Sequence, residues 1–153
     1  MKISITVEGA EIVRKGLEDL HAEIPKIGRQ QIRTVMNRIV REMQAYPRKR
    51  PRQTYVRTGN LFSHWQIKEL KEKGQNGYSI DNRARSPKGR RREYARFVVG
   101  SATGKGQAWM HRGRWQLLRD VVDEEVKKLP KPITERIVMV ARGKGFEAKV
   151  TNG

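Results

Sequence analysis

The sequence predicts an α+β fold: a small antiparallel β-sheet packed against one long α-helix, with additional C-terminal helices. Three observations carry this. Ile3, Ile5 and Val7 alternate with Lys2, Ser4 and Thr6, the period of a half-buried strand. Between Pro25 and Tyr46, Ile32, Val35, Met36, Ile39, Val40 and Met43 recur at three- and four-residue spacing, the apolar stripe of a long helix. Further on, Trp65 to Leu70 and Tyr78 to Asn82 read as a hairpin joined by Lys71 to Gly77, with Asn76-Gly77 the tight-turn dipeptide.

The remaining elements follow in order. After Gly9 a helix is expected from Ala10, with Ile12, Val13, Gly16, Leu17 and Leu20 on one side. Pro25 should interrupt it, forcing Ile24 out of helical geometry or starting a new helix. The long helix after it lays its apolar face on the sheet and turns Arg29, Arg33, Arg38 and Arg41 outward. A loop follows from Pro47 to Asn60, carrying Arg48, Lys49, Arg50, Arg52 and Arg57, and Leu61, Phe62 and Trp65 make a helical turn into the hairpin. Arg83 to Arg92 is a second basic loop, with Lys88, Arg90, Arg91 and Arg92.

Glu93 to Val99 is expected as a short helix with Tyr94, Phe97 and Val98 inward, and Ser101 to Gly106 as a small, flexible loop. A helix is predicted from Arg114 to Leu129, with Leu117, Leu118, Val121, Val122, Val126 and Leu129 apolar. Pro130 and Pro132 should stop it, Ile133 to Ala141 form one more short helix, and Gly143 to Gly153 make a loose tail. This divides the chain into a domain at residues 1–129 and a C-terminal extension at 130–153.

The 153 residues are 36% hydrophobic and 33% charged, which permits a modest core. The absence of cysteine excludes disulfides and thiolate metal sites, and suits synthesis in the cytoplasm. No signal peptide is read at the N-terminus, and no apolar run approaches the length of a membrane helix, so no membrane partner is expected. A formal net charge of +18 attracts polyanions: nucleic acid, an acidic membrane or an acidic protein face.

No catalytic constellation emerges. His21, His64 and His111 are scattered without metal-ligand spacing, and no nucleophile elbow is present. Gly100-Ser101-Ala102-Thr103-Gly104-Lys105-Gly106 is faintly like a phosphate loop. It fails the spacing and lacks the Ser or Thr after Lys105 that would hold magnesium, so it reads as a flexible loop. Asp120, Asp123, Glu124 and Glu125 are the densest acids, and read as a solvated or partner-facing side of a helix rather than a nuclease metal site. The expectation is no enzyme, no metal and no cofactor.

The two basic loops are the most informative segments. Five cations and no acid between Arg48 and Arg57 would condense on phosphate, or dock on an acidic protein, or stay solvated. Gln107 to Trp115 holds Trp109, His111, Arg112 and Arg114. Trp and Arg are enriched at interface anchors, so Trp109 reads as an interface residue and Trp115 as a seal on the core.

Several stretches, in order, resemble the small tail-completion or minor tail and neck proteins of long-tailed bacteriophages. They are Val7-Glu8-Gly9 before a helix, the long amphipathic helix, and a basic proline-containing segment leading to Thr58-Gly59-Asn60-Leu61. That last run is similar to the family's P-x-x-T-G-x-L region, with the proline displaced to Pro51 or Pro47. Asn82 with Tyr94-Ala95-Arg96-Phe97-Val98 is similar to its N-x-x-x-Y-A-x-x-V element, interrupted by residues 83–92, and Gln107-Ala108-Trp109 with His111 to Trp115 resembles a variant before the last helix.

The resemblance covers most of residues 1–129. It implies a non-enzymatic virion subunit, made in the bacterial cytoplasm, that forms a homo-oligomeric ring at the neck with other neck and tail proteins. Basic loops pointing into the channel of such a ring would meet double-stranded DNA non-specifically, or else bind acidic surfaces of adjoining rings. A closed ring needs head-to-tail contacts, for which Trp109, His111, Arg114 and a pairing of the basic loops with Asp120, Asp123 and Glu124 are candidates. The rival readings are a sequence-independent nucleic-acid-binding protein, and a tail terminator or head-closure protein.

Overall fold

The computed structural model describes residues 9–48, 51–52, 59–72, 75–84, 94–101 and 103–147. It is mixed α+β, as the sequence predicts, with helix α1 at Ala10–Gln44, α2 at Asn60–Ser63, an antiparallel pair of strands β1 (Trp65–Glu72) and β2 (Gln75–Asn82), then α3 (Tyr94–Val99), α4 (Leu118–Lys127) and α5 (Pro130–Gly143). The strand expected at residues 1–8 lies outside the described residues. The chain clusters into two units, one of residues 32–129 and one of residues 1–31 with 130–153.

The larger unit contains the main core. Val35, Ile39 and Met43 of α1, Leu61 of α2, Trp65 of β1, Ala95, Val98 and Val99 of α3 and Val121 of α4 bury together. Ile39, Val98 and Val99 are enclosed almost completely, each contributing about 1.5–3 kcal/mol of apolar burial. Asn82 fastens the sheet to its neighbours. Its side-chain NH2 donates to the Leu61 carbonyl at 2.8 Å, its Oδ1 accepts from Ala84 N–H at 2.9 Å, and the Ala84 carbonyl accepts from Tyr94 N–H at 3.2 Å. Gly59 enters α2 at φ 72°, a left-handed conformation in which glycine meets no Cβ penalty.

The connection in the hairpin is shorter than the expected Lys71 to Gly77. Glu72 pairs with Gln75, so Asn76 and Gly77 lie inside the ladder opposite Lys71 and Leu70. A reversal at Asn76-Gly77 would set Ile80 opposite Lys73. The observed pairing sets Ile67 opposite Ile80, and Ile80 packs on the core. Register follows the buried face when it competes with a turn dipeptide.

Pro25 does not end α1. The helix runs unbroken from Ala10 to Gln44 although Pro25 has no N–H for the His21 carbonyl, a loss that costs roughly 3 kcal/mol in a helix interior. Leu20, Ile24 and Ile27 carry the helical spacing through the proline, and Ile27 is buried. Of the three residues expected inward on α3, Val98 is buried and Tyr94 half-buried, but Phe97 is exposed; Ala95 and Val99 take the inner positions.

Helix α4 begins at Leu118 rather than Arg114, because the preceding backbone is held elsewhere. Gly113 takes φ 68°, the Trp115 carbonyl accepts from the Gln107 side chain at 3.1 Å, and Leu117 is extended. Val126, expected on the apolar side of this helix, is exposed, whereas Glu125 is buried.

In the smaller unit, Pro130 and Pro132 open α5 rather than merely stopping α4, since an N–H is dispensable in a first turn. The tail is not loose at its start. The Phe146 ring lies against Gly16, where an added Cβ would stand 3.0 Å from it, and Lys144 pairs with Asp19 at 3.2 Å. Residues 148–153 lie outside the described residues. Among the described residues no helix is long and apolar enough to cross a membrane.

Candidate functional site

The segment from α3 to α4 gathers most of the candidate residues that can be placed. Its backbone is pinned at several points. Ala108 N–H donates to the Phe97 carbonyl at 2.8 Å, Ser101 N–H donates to the Lys105 carbonyl at 2.8 Å, and the Gln107 side-chain amide donates to the carbonyls of Val98 at 2.9 Å and Trp115 at 3.1 Å. The stretch expected to be flexible is therefore folded back on α3. A single 3-10 turn at Trp109–His111 follows it.

Trp109 is 78% exposed, and Met110 next to it and Phe97 are also exposed. Trp115 packs against the core, edge-on to Tyr46 with centroids 5.2 Å apart. His111 stands nearly perpendicular to Trp115 at 6.4 Å. Partial burial, reinforced by the nearby Arg114 charge, holds the His111 imidazole below its ordinary pKa of 6.5. Trp109 and Trp115 thus divide as their sequence context suggested, one outward and one against the core. His111 and Arg114 are half-buried.

On α4 the acids separate. Asp120 accepts from Arg119 Nη2 at 2.8 Å, and Glu124 accepts from Lys128 at 2.8 Å, which holds the Glu124 carboxyl below its usual range. Asp123 is exposed. Glu125 departs most from expectation: its side chain is only 5% exposed, with Lys128 at 2.7 Å and Arg38 of α1 at 3.9 Å. The signal was its place four residues after Val121, on the apolar stripe. Asp120, Glu124 and Glu125 thus each face a cation of the chain, whereas Asp123 takes part in no ion pair among the described residues.

Of the basic-loop residues, Arg48 and Arg52 are exposed, and Arg52 sits at φ 63°. Lys49, Arg50, Arg57, Lys88, Arg90, Arg91 and Arg92 lie outside the described residues. Beneath the start of the first loop, Met43, Tyr46, Pro47, Arg114 and Trp115 line an open hollow of about 240 Å³. A larger open groove of about 560 Å³ is lined by Gly104, Lys105, Gly106, Gln107, Arg112, Gly113 and Leu117. Sequence reasoning passed over this groove. The run Gly100 to Gly106 reads from the sequence as a flexible loop, and nothing in its spacing brings it together with Arg112 and Gly113.

Among the described residues no group of three His, Asp or Glu side chains comes together to hold a metal ion. Asp81, at the end of β2, accepts from Lys68 at 3.0 Å and from Arg83 at 3.2 Å, and these bonds hold its carboxyl below the usual range. That cluster is an exposed ion-pair network rather than a reactive site. Comparison with known proteins returned no matching family model, no matching curated protein and no matching solved structure.

Proposed function

We propose that this chain is a ring-forming structural subunit of a tailed-bacteriophage neck or upper tail, without enzymatic activity. The observation that carries the reading is the exposed apolar group of Trp109, Met110 and Phe97, in and beside the segment whose tryptophans and arginines mark it as an interface. Large apolar side chains concentrated on an ordered turn are the usual anchor of a protein interface. The short motifs behind the resemblance also occupy positions that matter for folding: Gly59 in left-handed geometry, Leu61, Ala95 and Val98 in the core, and Asn82 as the sheet's fastening. The high positive charge opposes self-association unless an anion or salt is present, and channel DNA or acidic neck proteins would supply that counter-charge.

The test is the mass of the purified protein by light scattering across a salt series, with and without duplex DNA. Monomers that assemble into rings as concentration rises, and fail to do so after Trp109→Ala, are the expected result. A persistent monomer that binds duplex DNA at sub-micromolar strength near physiological salt would overturn it. That outcome favours a sequence-independent nucleic-acid-binding protein, the second reading, for which the exposure of Arg48 and Arg52 is the specific support. A tail terminator or head-closure protein would also form rings, and differs by its position in the assembled neck.

A further inference from the structure

We infer that the groove between Gly104 and Gly113 is a second, pre-built anion site that holds the phosphodiester backbone of a nucleic-acid strand, separate from the two basic loops. From Tyr94 to Leu117 the chain carries Arg96, Lys105, Arg112 and Arg114 and no carboxylate. Lys105 and Arg112 line the groove, and neither takes part in an ion pair among the described residues. Other cations without an ion pair among the described residues, such as Lys15 and Arg33, stand on exposed helix faces. Lys105 and Arg112 instead flank a concavity of about 560 Å³, within the range of small-ligand sites.

The glycines make the groove fit for phosphate rather than merely basic. Gly104, Gly106 and Gly113 all have left-handed φ, at 73°, 90° and 68°; at Gly113 the space a Cβ would take is open, and at the other two it is taken by arginine side chains. Two further guanidinium groups lie against the same loop. An added Cβ at Gly106 would stand 2.8 Å from Arg96 Nε, and one at Gly104 would stand 2.8 Å from Arg119 Nη1. Arg119 is balanced by Asp120, so it serves to brace the loop, while Arg96, which makes no ion pair among the described residues, adds charge beside Gly106. Arg offers a planar fork and Lys a point charge, a pairing suited to the oxygens of a phosphodiester.

Trp109 is joined to the groove residue Arg112 by the backbone, its carbonyl accepting from Arg112 N–H at 3.2 Å, and its indole is exposed. An exposed indole beside cations is the arrangement on which an unpaired base stacks. The ligand is thus read through its phosphates, and Trp109 distinguishes its form. The inference holds for the monomer and does not require a ring.

The experiment is fluorescence anisotropy of labelled oligonucleotides of about 20 nucleotides, duplex and oligo-dT, titrated with the full chain between about 50 and 200 mM salt. Lys105→Ala/Arg112→Ala is compared with Lys15→Ala/Arg33→Ala, which removes the same charge from α1. The expected result for the groove variant is a fall in the salt slope of about 1.8 with duplex or about 1.4 with oligo-dT, since two cations no longer neutralise phosphate, and a much smaller change for the α1 variant. Quenching of Trp109 by oligo-dT, but not by duplex, identifies a single strand as the preferred form; equal affinity without quenching identifies a duplex backbone.

Amide shifts of Lys105, Gly106 and Gly113 on adding oligo-dT to the unaltered protein supply a readout that does not depend on the variants folding. Equal weakening by the two double variants, or shifts confined to other residues, would overturn the inference. So would a poly-glutamate peptide of matched charge that competes as well as the oligonucleotide, because the groove would then be a site for acidic protein.

Discussion

The C-terminal half of α1 hides Val35, Ile39 and Met43 to 5%, 0% and 3% exposure, whereas its N-terminal half leaves Ile12, Val13 and Leu17 80%, 51% and 52% exposed, although helical apolar spacing runs through both. Period tells which side chains share a face; it does not tell whether anything covers that face. The covered half lies within a unit that brings α2, the hairpin, α3 and α4 to one core. In the other unit, Ile27 and Ala141 are the buried hydrophobic residues among those described, with the Phe146 ring on Gly16. Burial concentrates where several elements converge, not where the helix is most regular.

The sharpest way to break this comparison is to truncate one apolar residue in each half. Ile39→Ala should cost about 2–5 kcal/mol in denaturant unfolding, because the core cannot fully collapse around the missing atoms. Leu17→Ala should cost no more than about 0.5 kcal/mol in the monomer, as exposed substitutions do. Equal costs would mean that the N-terminal face is covered in solution. A smaller loss, about 1–3 kcal/mol, is expected for Glu125→Ala, which removes the acceptor buried under Lys128 and near Arg38. Both cations are about half exposed and can be hydrated, which keeps the loss below that of a fully buried pair. If Glu125→Met is as stable as the unaltered protein while Glu125→Ala is not, packing rather than charge holds that position.

His111 supplies a pH test of the same contrast between covered and open groups. Its folded pKa lies below 6.5, so below that pH the unfolded chain binds the proton more readily than the folded one. The stability it contributes is complete above pH 6.5 and is lost as pH falls from there through the folded pKa. Melting temperatures measured from about pH 7.5 to 5 should therefore fall less steeply in His111→Gln than in the unaltered protein, and parallel slopes would show that the ring is not shielded. The smallest stability effect is expected at Trp109→Ala, within about 0.5 kcal/mol by thermal unfolding despite the size of the side chain.

Much of this fold was legible in local pattern. The amphipathic stripe of α1, the hairpin and the helix at the C-terminus all follow from periodicity in Ile32 to Met43, Trp65 to Asn82 and Ile133 to Ala141. The errors arose where one local rule met a stronger non-local one. Pro25 has a helix-breaking character that the surrounding helical spacing overrode, Asn76-Gly77 lost to the pairing of Ile67 with Ile80, and Arg114 to Leu117 lost helical geometry to a bond from Gln107.

The candidate site was legible in part. Trp109 was marked by its setting among arginines, and its exposure agrees with that setting. The groove was not legible, because concavity is made by Gly104 and Gly113 coming to one place, and sequence spacing does not encode that. Glu125 was misread because an acid on an apolar stripe becomes a core residue only when a cation such as Lys128 lies over it.

The two hydrogen bonds from the Gln107 amide bear on kinetics. One side-chain amide clasps Val98 at one end of the loop and Trp115 at the other, so the loop between them loses its conformational freedom during folding. A partner arriving at this segment finds its shape already made, and little ordering remains to oppose capture. Encounter would then be governed by diffusion and the field of the basic surface, with a rate that declines steeply as salt is added. Cutting the clasp with Gln107→Ala would move that ordering from folding to capture, slowing association although Lys105, Arg112 and Trp109 are unchanged.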